Sequence, residues 1–220
     1  MASLFKYLPS RYVNAFLGGG ILFRSLSYFR EYEEQQVRGD RLEAVRQYKP
    51  KAGLAVNING RSEPVMLPMA FEAQARERDI LVFCLSTVLS AELAAEFNAD
   101  ACVEITEPDD FLHRLRRALV ARPSLKGTPL INDAISYYDP EFPPLADWAL
   151  PERIALSKID AYRRQAEYRI AFGRRRAFDV SNVRTRLTSA PASLEQSTRS
   201  HPQVLLQIGD LRHICKTHTT

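Results

Sequence analysis

Residues 79–86, DILVFCLS, form an almost uninterrupted apolar run. A strand that is apolar on both faces must be covered on both, so this segment predicts a buried central strand around which the rest of the chain is arranged. LFKYL (4–8) and ILFRS (21–25) read as two short strands. Between them Pro9 and Ser10 start a helix that runs to about Leu17, with Tyr12, Val13 and Phe16 on one face. Gly18-Gly19-Gly20 ends it, because glycine adopts the left-handed cap without steric cost. SAELAAEF (90–97) and PDDFLHRLRRALVAR (108–122) read as helices, the second amphipathic with Pro108 near its start and acids in its first turn. ACVEI (101–105), AISYYD (134–139) and VLLQI (204–208) read as strands, and GDLRHI (209–214) as a final turn before a tail holding His213 and His218.

Three segments interrupt this pattern. Residues 31–50 are a polar insertion, predicted partly helical, whose RGD at 38–40 carries no adhesion reading because nothing in the sequence suggests export. LAVNINGRSEPVML (54–67) holds the strongest turn signal, Asn59-Gly60, which suits a two-residue hairpin loop. Residues 188–203 are a flexible polar loop. Many short strands interleaved with few helices, without βαβ repetition, predict an α+β fold. The expected architecture is one domain over residues 1–220, with a central mixed or antiparallel sheet of short strands and flanking helices.

Several function classes are excluded at this level. No apolar run approaches the ~18 to 20 residues of a membrane span, and the N-terminus lacks a signal-peptide pattern. The three cysteines, Cys84, Cys102 and Cys215, form no CxxC pair, which fits a reducing, cytoplasmic compartment and no membrane partner. The four histidines show no ligand spacing, so no metal site is expected. There is no GxGxxG after a strand, no GxxxxGK[ST] and no GxSxG. The net charge of +4 is uneven: residues 151–190 hold ten Lys/Arg against four Asp/Glu. Such a surplus suits phosphate-bearing or acidic partners, or is simply a solvated face.

Within that basic segment, QAEYRIAF (165–172) reads as a strand in which Ala166, Tyr168, Ile170 and Phe172 alternate with Gln165, Glu167, Arg169 and Ala171. Glu167 is the one carboxylate of the strand. A carboxylate so placed serves either as a general base or stabiliser of a developing cation, or as a cross-strand salt-bridge partner. Sequence spacing leaves both open.

SLFKYLPSRYVNAFLGGGILFRS (3–25) resembles the first segment of ADP-ribosyltransferases, with Lys6-Tyr7 where those enzymes carry a His-Gly or His-Tyr pair. FCLSTVLS resembles their strand ending in a site-bracing Ser/Thr, and QAEYRIAF the strand carrying their catalytic glutamate. Over nearly its full length the chain is also similar to a broad bacterial family of largely uncharacterised proteins, some linked to phage defence. The shared pieces, in order, are KY at 6–7, ILFRS at 21–25, RGD at 38–40, CLS at 84–86, Lys158, Tyr162, Gln165, EYR at 167–169 and IGDLRHI at 208–214.

The resemblance implies an NAD-consuming enzyme that transfers ADP-ribose to a nucleic acid or protein acceptor, in a toxin or phage-defence setting. It implies Glu167 as the catalytic carboxylate that stabilises the charge developing on the nicotinamide ribose and holds its 2′-hydroxyl, positioned by Ser86. Lys6, Arg24 or Arg30 would hold the pyrophosphate, Tyr7, Tyr28 or Phe29 would stack on nicotinamide, and Arg174, Arg175 and Arg176 would grip an acceptor nucleic acid. A lysine in the first strand can bond a ribose hydroxyl or pyrophosphate but cannot copy imidazole geometry. The competing expectation is a non-catalytic binding module that holds nucleic acid or protein through the basic 151–190 face, with Glu167 paired to Arg169 or Arg164.

Overall fold

A computed structural model describes residues 2–32, 42–60, 62–189 and 200–219. The chain runs β1 (Leu4–Leu8), α1 (Val13–Leu17), β2 (Gly20–Ser25), α2 (Leu26–Tyr32), β3 (Val45–Tyr48), β4 (Leu54–Val56), β5 (Val65–Leu67) and β6 (Ala70–Gln74). It continues through β7 (Ile80–Ser86), α3 (Ala91–Glu96), β8 (Ala101–Ile105), α4 (Pro108–Ala121), β9 (Leu130–Ala134) and β10 (Ser136–Tyr138). It ends with α5 (Pro151–Ala155), β11 (Ser157–Ile159), β12 (Glu167–Gly173), β13 (Arg184–Thr188), β14 (Gln203–Gln207) and β15 (Cys215–Thr219).

The apolar run becomes β7 and stands at the centre of an eight-stranded antiparallel sheet. On one side β12 pairs along its whole length, from Glu167 opposite Ser86 to Gly173 opposite Ile80, and β9 pairs beyond it. The other side is shared by two strands. β2 pairs only with Leu81 and Val82, and β1 only with Ser86. β14 continues the sheet outside β2, and β8 and β15 continue it outside β1. The sheet therefore forks along one edge of β7.

Both faces are covered, as an apolar strand requires. On one face Leu81, Phe83 and Leu85 of β7 meet Tyr168, Ile170 and Phe172 of β12 and Ile21 and Phe23 of β2. Phe111, Leu112, Leu115 and Leu119 of α4 close over them, at the helical spacing that gathers apolar residues into one stripe. On the other face Ile80, Val82 and Ala171 pack with Leu26 of α2, Ala73 of β6, Ile154 of α5 and Trp148 of the loop before it. β12 is buried along its full length, so its polar alternation is a second covered face and not a solvated one. Ala166 lies outside it, as a left-handed residue just before the strand.

Other local readings are corrected by tertiary pairing. β4 and β5 do form a hairpin, but Val56 opposite Val65 is their last pair, so eight residues separate the strands and Asn59-Gly60 is not a two-residue loop. The end of the chain is not a tail: β15 pairs with β8 and brings His218 against Glu104. AISYYD divides into the end of β9 and β10, and β10 makes a parallel pair with β11. β3, β6 and β13 make a separate small antiparallel sheet. The RGD and most of the polar 188–203 loop lie outside the described residues.

The turn into β2 depends on glycine. Gly19 has φ +89, and a Cβ there would lie 2.2 Å from the Gly209 carbonyl oxygen. Ile208 donates its amide to the Gly19 carbonyl at 3.0 Å, which fixes that approach. Gly19→Ala is expected to cost at least about 2 kcal/mol of unfolding free energy, since both conformation and space exclude a side chain. Denaturant titration of the variant beside wild type checks this.

Candidate functional site at the fork of the sheet

Where β1 and β2 diverge, Phe83, Cys84 and Leu85 have no strand partner on that side of β7 among the described residues. Lys6 reaches across the gap from β1. Its ammonium donates to the Cys84 carbonyl at 2.7 Å and lies 4.5 Å from the centre of the Phe83 ring. At Cys84 an unpaired sheet edge is thereby met by a cation instead of a strand. A groove of about 490 Å³ occupies the fork, with walls that include Tyr12, Leu22, Tyr28, Phe83 and Leu205. Among the described residues its charged lining is Lys6 and Arg24, with no carboxylate. A smaller cavity of about 100 Å³ adjoins it, sharing Lys6, Phe29 and Cys84, and ends at Lys158, Glu167 and Arg169.

Glu167 is held from several directions. The Ser86 hydroxyl donates to the Gln165 carbonyl at 3.0 Å, and the Thr87 amide donates to the Ala166 carbonyl at 2.8 Å. The Glu167 amide donates to the Tyr137 hydroxyl at 2.9 Å. With the left-handed Ala166 before it, the strand can start only at Glu167. The carboxylate takes Arg169 Nε on Oε1 at 2.8 Å and Lys158 Nζ on Oε2 at 2.8 Å. Arg169 turns its other two nitrogens to Glu43, at 2.7 and 3.2 Å, and also donates to the Ala155 carbonyl. Lys158 lies 3.2 Å from Gln165 Oε1, and Gln165 Nε2 donates to Glu96. The side chains of Glu43 and Arg169 are each 1% exposed, and those of Lys158 and Glu167 6%.

Burial alone would raise the Glu167 carboxyl. The charges of Arg169 and Lys158 outweigh it and hold the group far below the usual glutamate value. Burial likewise opposes charge on Arg169, and Glu167 and Glu43 reverse that and hold it charged. Glu167 is therefore a fixed anion near neutral pH. It has no proton to give near neutral pH, but a carboxylate that accepts from Arg169, Lys158 and the Cys84 thiol still has a lone pair for a further hydroxyl. Burial, then the Glu167 charge, pushes the Cys84 thiol well up, so Cys84 is no thiolate nucleophile near neutral pH. The described residues include no group of His, Cys, Asp and Glu arranged to hold a metal ion.

The structure brings some of the expected site residues together and separates others. Glu167, Lys6, Tyr7, Arg24, Tyr28 and Phe29 line the groove or the cavity. Arg24 lies flat over Tyr28, 4.0 Å from its ring centre. The Tyr7 hydroxyl is already committed, donating to Val88 and accepting from Ser90. Ser86 braces the backbone before Glu167 and makes no bond to its carboxylate in the described set. Arg30 is buried against Glu77 and lines neither space.

Arg174, Arg175 and Arg176 follow the far end of β12, roughly 20 Å from Glu167 at the strand rise per residue. Arg175 lies 4.0 Å from Asp79, and Arg176 pairs with Asp179 at 2.6 Å while remaining 84% exposed. The basic 151–190 segment is not one face. Arg153, Arg163, Arg164 and Arg186 each pair with an acid, and Lys158 and Arg169 are buried. Arg164 pairs with Glu96 and not with Glu167.

Sequence reading missed Lys158, Gln165 and Glu43 as members of the site. The RGD..E and K…Y..Q.EYR strings that contain them were the available signal. The chain matches no protein-family model, no curated protein and no solved structure. Among the described residues no helix is long and apolar enough to cross a membrane.

A glutamate whose folded-state value is depressed contributes stability above its unfolded value and loses that contribution as pH falls toward the folded one. Wild type is therefore expected to lose unfolding free energy progressively below about pH 4.5. Glu167→Gln should be less stable at pH 7 by about 3 kcal/mol, because it leaves two buried cations short of an acid. Its stability should fall less steeply with acid. Urea titrations of both proteins from pH 7 to pH 3 measure the two slopes.

Proposed function

We propose that the chain is an NAD-consuming ADP-ribosyltransferase-like enzyme whose acceptor is a nucleic acid or a protein. The observation that carries this reading is the groove at the fork, whose charged lining among the described residues is Lys6 and Arg24 and which leads to a buried carboxylate, Glu167, ionised near neutral pH. A dinucleotide suits such a groove. Its pyrophosphate would be met by Lys6 and Arg24, and its rings by Tyr28, Phe29 and the apolar walls. The ribose carrying nicotinamide would then lie at the inner cavity.

In the reaction the bond between ribose C1′ and the nicotinamide nitrogen breaks, and its electron pair leaves with nicotinamide. The positive charge that develops on the ribose is stabilised by Glu167, which also accepts a hydrogen bond from a ribose hydroxyl. The acceptor forms the new bond to C1′ and loses a proton to solvent. Glu167 needs no proton transfer in this scheme, in keeping with its depressed pKa. The groups on its flanks, Arg169 and Lys158, fix its direction.

One observation favours the non-catalytic reading: both Glu167 oxygens are already held by cations. On that reading the cluster is structural and the groove only binds. The two part in a nicotinamide-release assay of purified protein with DNA, RNA and cell lysate offered in turn as acceptor. The enzyme reading expects wild-type turnover, at least a hundredfold loss of kcat in folded Glu167→Gln, and a KM for NAD raised about tenfold with kcat retained in Arg24→Ala. Wild-type protein that binds NAD without releasing nicotinamide under any of these conditions would establish the binding module instead.

A further inference from the structure

Glu43 is the second buried acid of the cluster, and the transfer scheme gives it no part. It does not line the inner cavity. It stands behind Arg169, holding both terminal nitrogens of the guanidinium, with Oε2 4.0 Å from Lys158 Nζ. A carboxylate gripping both ends of the guanidinium fork turns its Nε edge toward Glu167, and so sets the direction in which Arg169 presents that bond. Among the described residues the cavity is lined by three cations, Lys6, Lys158 and Arg169, and one acid, Glu167. Without Glu43, Lys158 and Arg169 would lose one of the two carboxylates described beside them.

The backbone adds an independent sign that this placement is constrained. Ala44 follows Glu43 at φ 64, and Ala166 precedes Glu167 at φ 42. Alanine is disfavoured in the left-handed region, and such residues persist where the surroundings over-determine them. Each acid of the cluster thus has a left-handed alanine next to it in the chain.

We propose that Glu43 is a positioning residue for the site at Glu167. It fixes Arg169, and it cancels the positive excess that would otherwise oppose a developing cation and over-attract an anion. The kinetic part rests on the NAD-cleavage reading, whereas the charge part does not. Removing the Glu43 charge should therefore tighten anion binding while slowing turnover, a pair of opposite changes that general loss of structure does not produce.

The test measures ADP-ribose binding by calorimetry and nicotinamide release in the same preparations, each checked for a cooperative thermal transition. The proteins are wild type, Glu43→Gln, Glu43→Asp and the double variant Glu43→Gln/Arg169→Gln. For Glu43→Gln the expected result is roughly tenfold tighter ADP-ribose binding, from one added positive charge at short range. Its kcat should fall at least tenfold and its KM should fall too. The double variant, in which charge balance is restored, should return to wild-type affinity. Glu43→Asp keeps the charge but shortens the reach, so affinity should hold within about twofold while kcat falls; it decides the positioning claim if Glu43→Gln does not fold. Unchanged or weaker ADP-ribose binding in folded Glu43→Gln, no reversal in the double variant, or wild-type kcat in Glu43→Asp beside an active wild type would overturn the proposal. Binding by neither wild type nor Glu43→Gln would overturn it together with the groove reading. Wild type that binds ADP-ribose but releases no nicotinamide sinks the enzyme reading alone, and the affinity comparison still decides the role of Glu43.

Discussion

Arg169 carries a full positive charge into the interior, where its side chain is 1% exposed. A guanidinium cannot escape burial by losing its proton, so the surrounding chain has to supply anions and acceptors at fixed positions. Glu43, Glu167 and the Ala155 carbonyl do so, and in doing so they tie β12 to the segment before β3 and to the end of α5. Lys158, just after α5, completes the arrangement by taking the second oxygen of Glu167. A cluster of this kind is weak as net stabilisation, because desolvation consumes much of the Coulombic gain. What it supplies is direction: each charge is unfavourable anywhere but in its observed place.

The fork in the sheet gives the cluster access. Had β1 or β2 paired along the whole of β7, the edge at Phe83 to Leu85 would be filled by backbone. Instead the gap is bridged by the Lys6 ammonium, and the space above it opens into a groove whose charged lining is cationic. The apolar faces of β7 and β12 hold this geometry from one side through α4, and α2, β6 and α5 hold it from the other. The carboxylate at the end of the groove is ionised because of its neighbours and rigid because of its packing. Those are the two properties required of a group that stabilises positive charge without moving.

Much of the framework was legible in the sequence. The apolar run gave β7, and the Pro108 start with its acidic first turn gave α4. The glycine triplet gave the turn into β2, because those signals are local and strong. The glutamate strand was legible as a strand, but not that both of its faces are buried, since alternation alone does not say what covers the polar side. Lys158 was hidden because β11 is three residues long and owes its existence to β10. Glu43 was hidden because its position follows from a left-handed Ala44 and from Arg169, 126 residues away in the chain. The arginines at 174–176 looked close to Glu167 in sequence, yet an extended strand separates them. Distances across a fold are set by strand register, which residue spacing does not report.

The most direct test of the central claim is an experimental structure of the protein bound to a non-cleavable NAD analogue. The account predicts the pyrophosphate beside Lys6 and Arg24 in the fork, and the nicotinamide ribose with a hydroxyl in hydrogen-bonding distance of the Glu167 carboxylate. An analogue bound elsewhere, or a fork that stays empty at saturating concentration while Glu167 remains enclosed by Lys158 and Arg169, would contradict it.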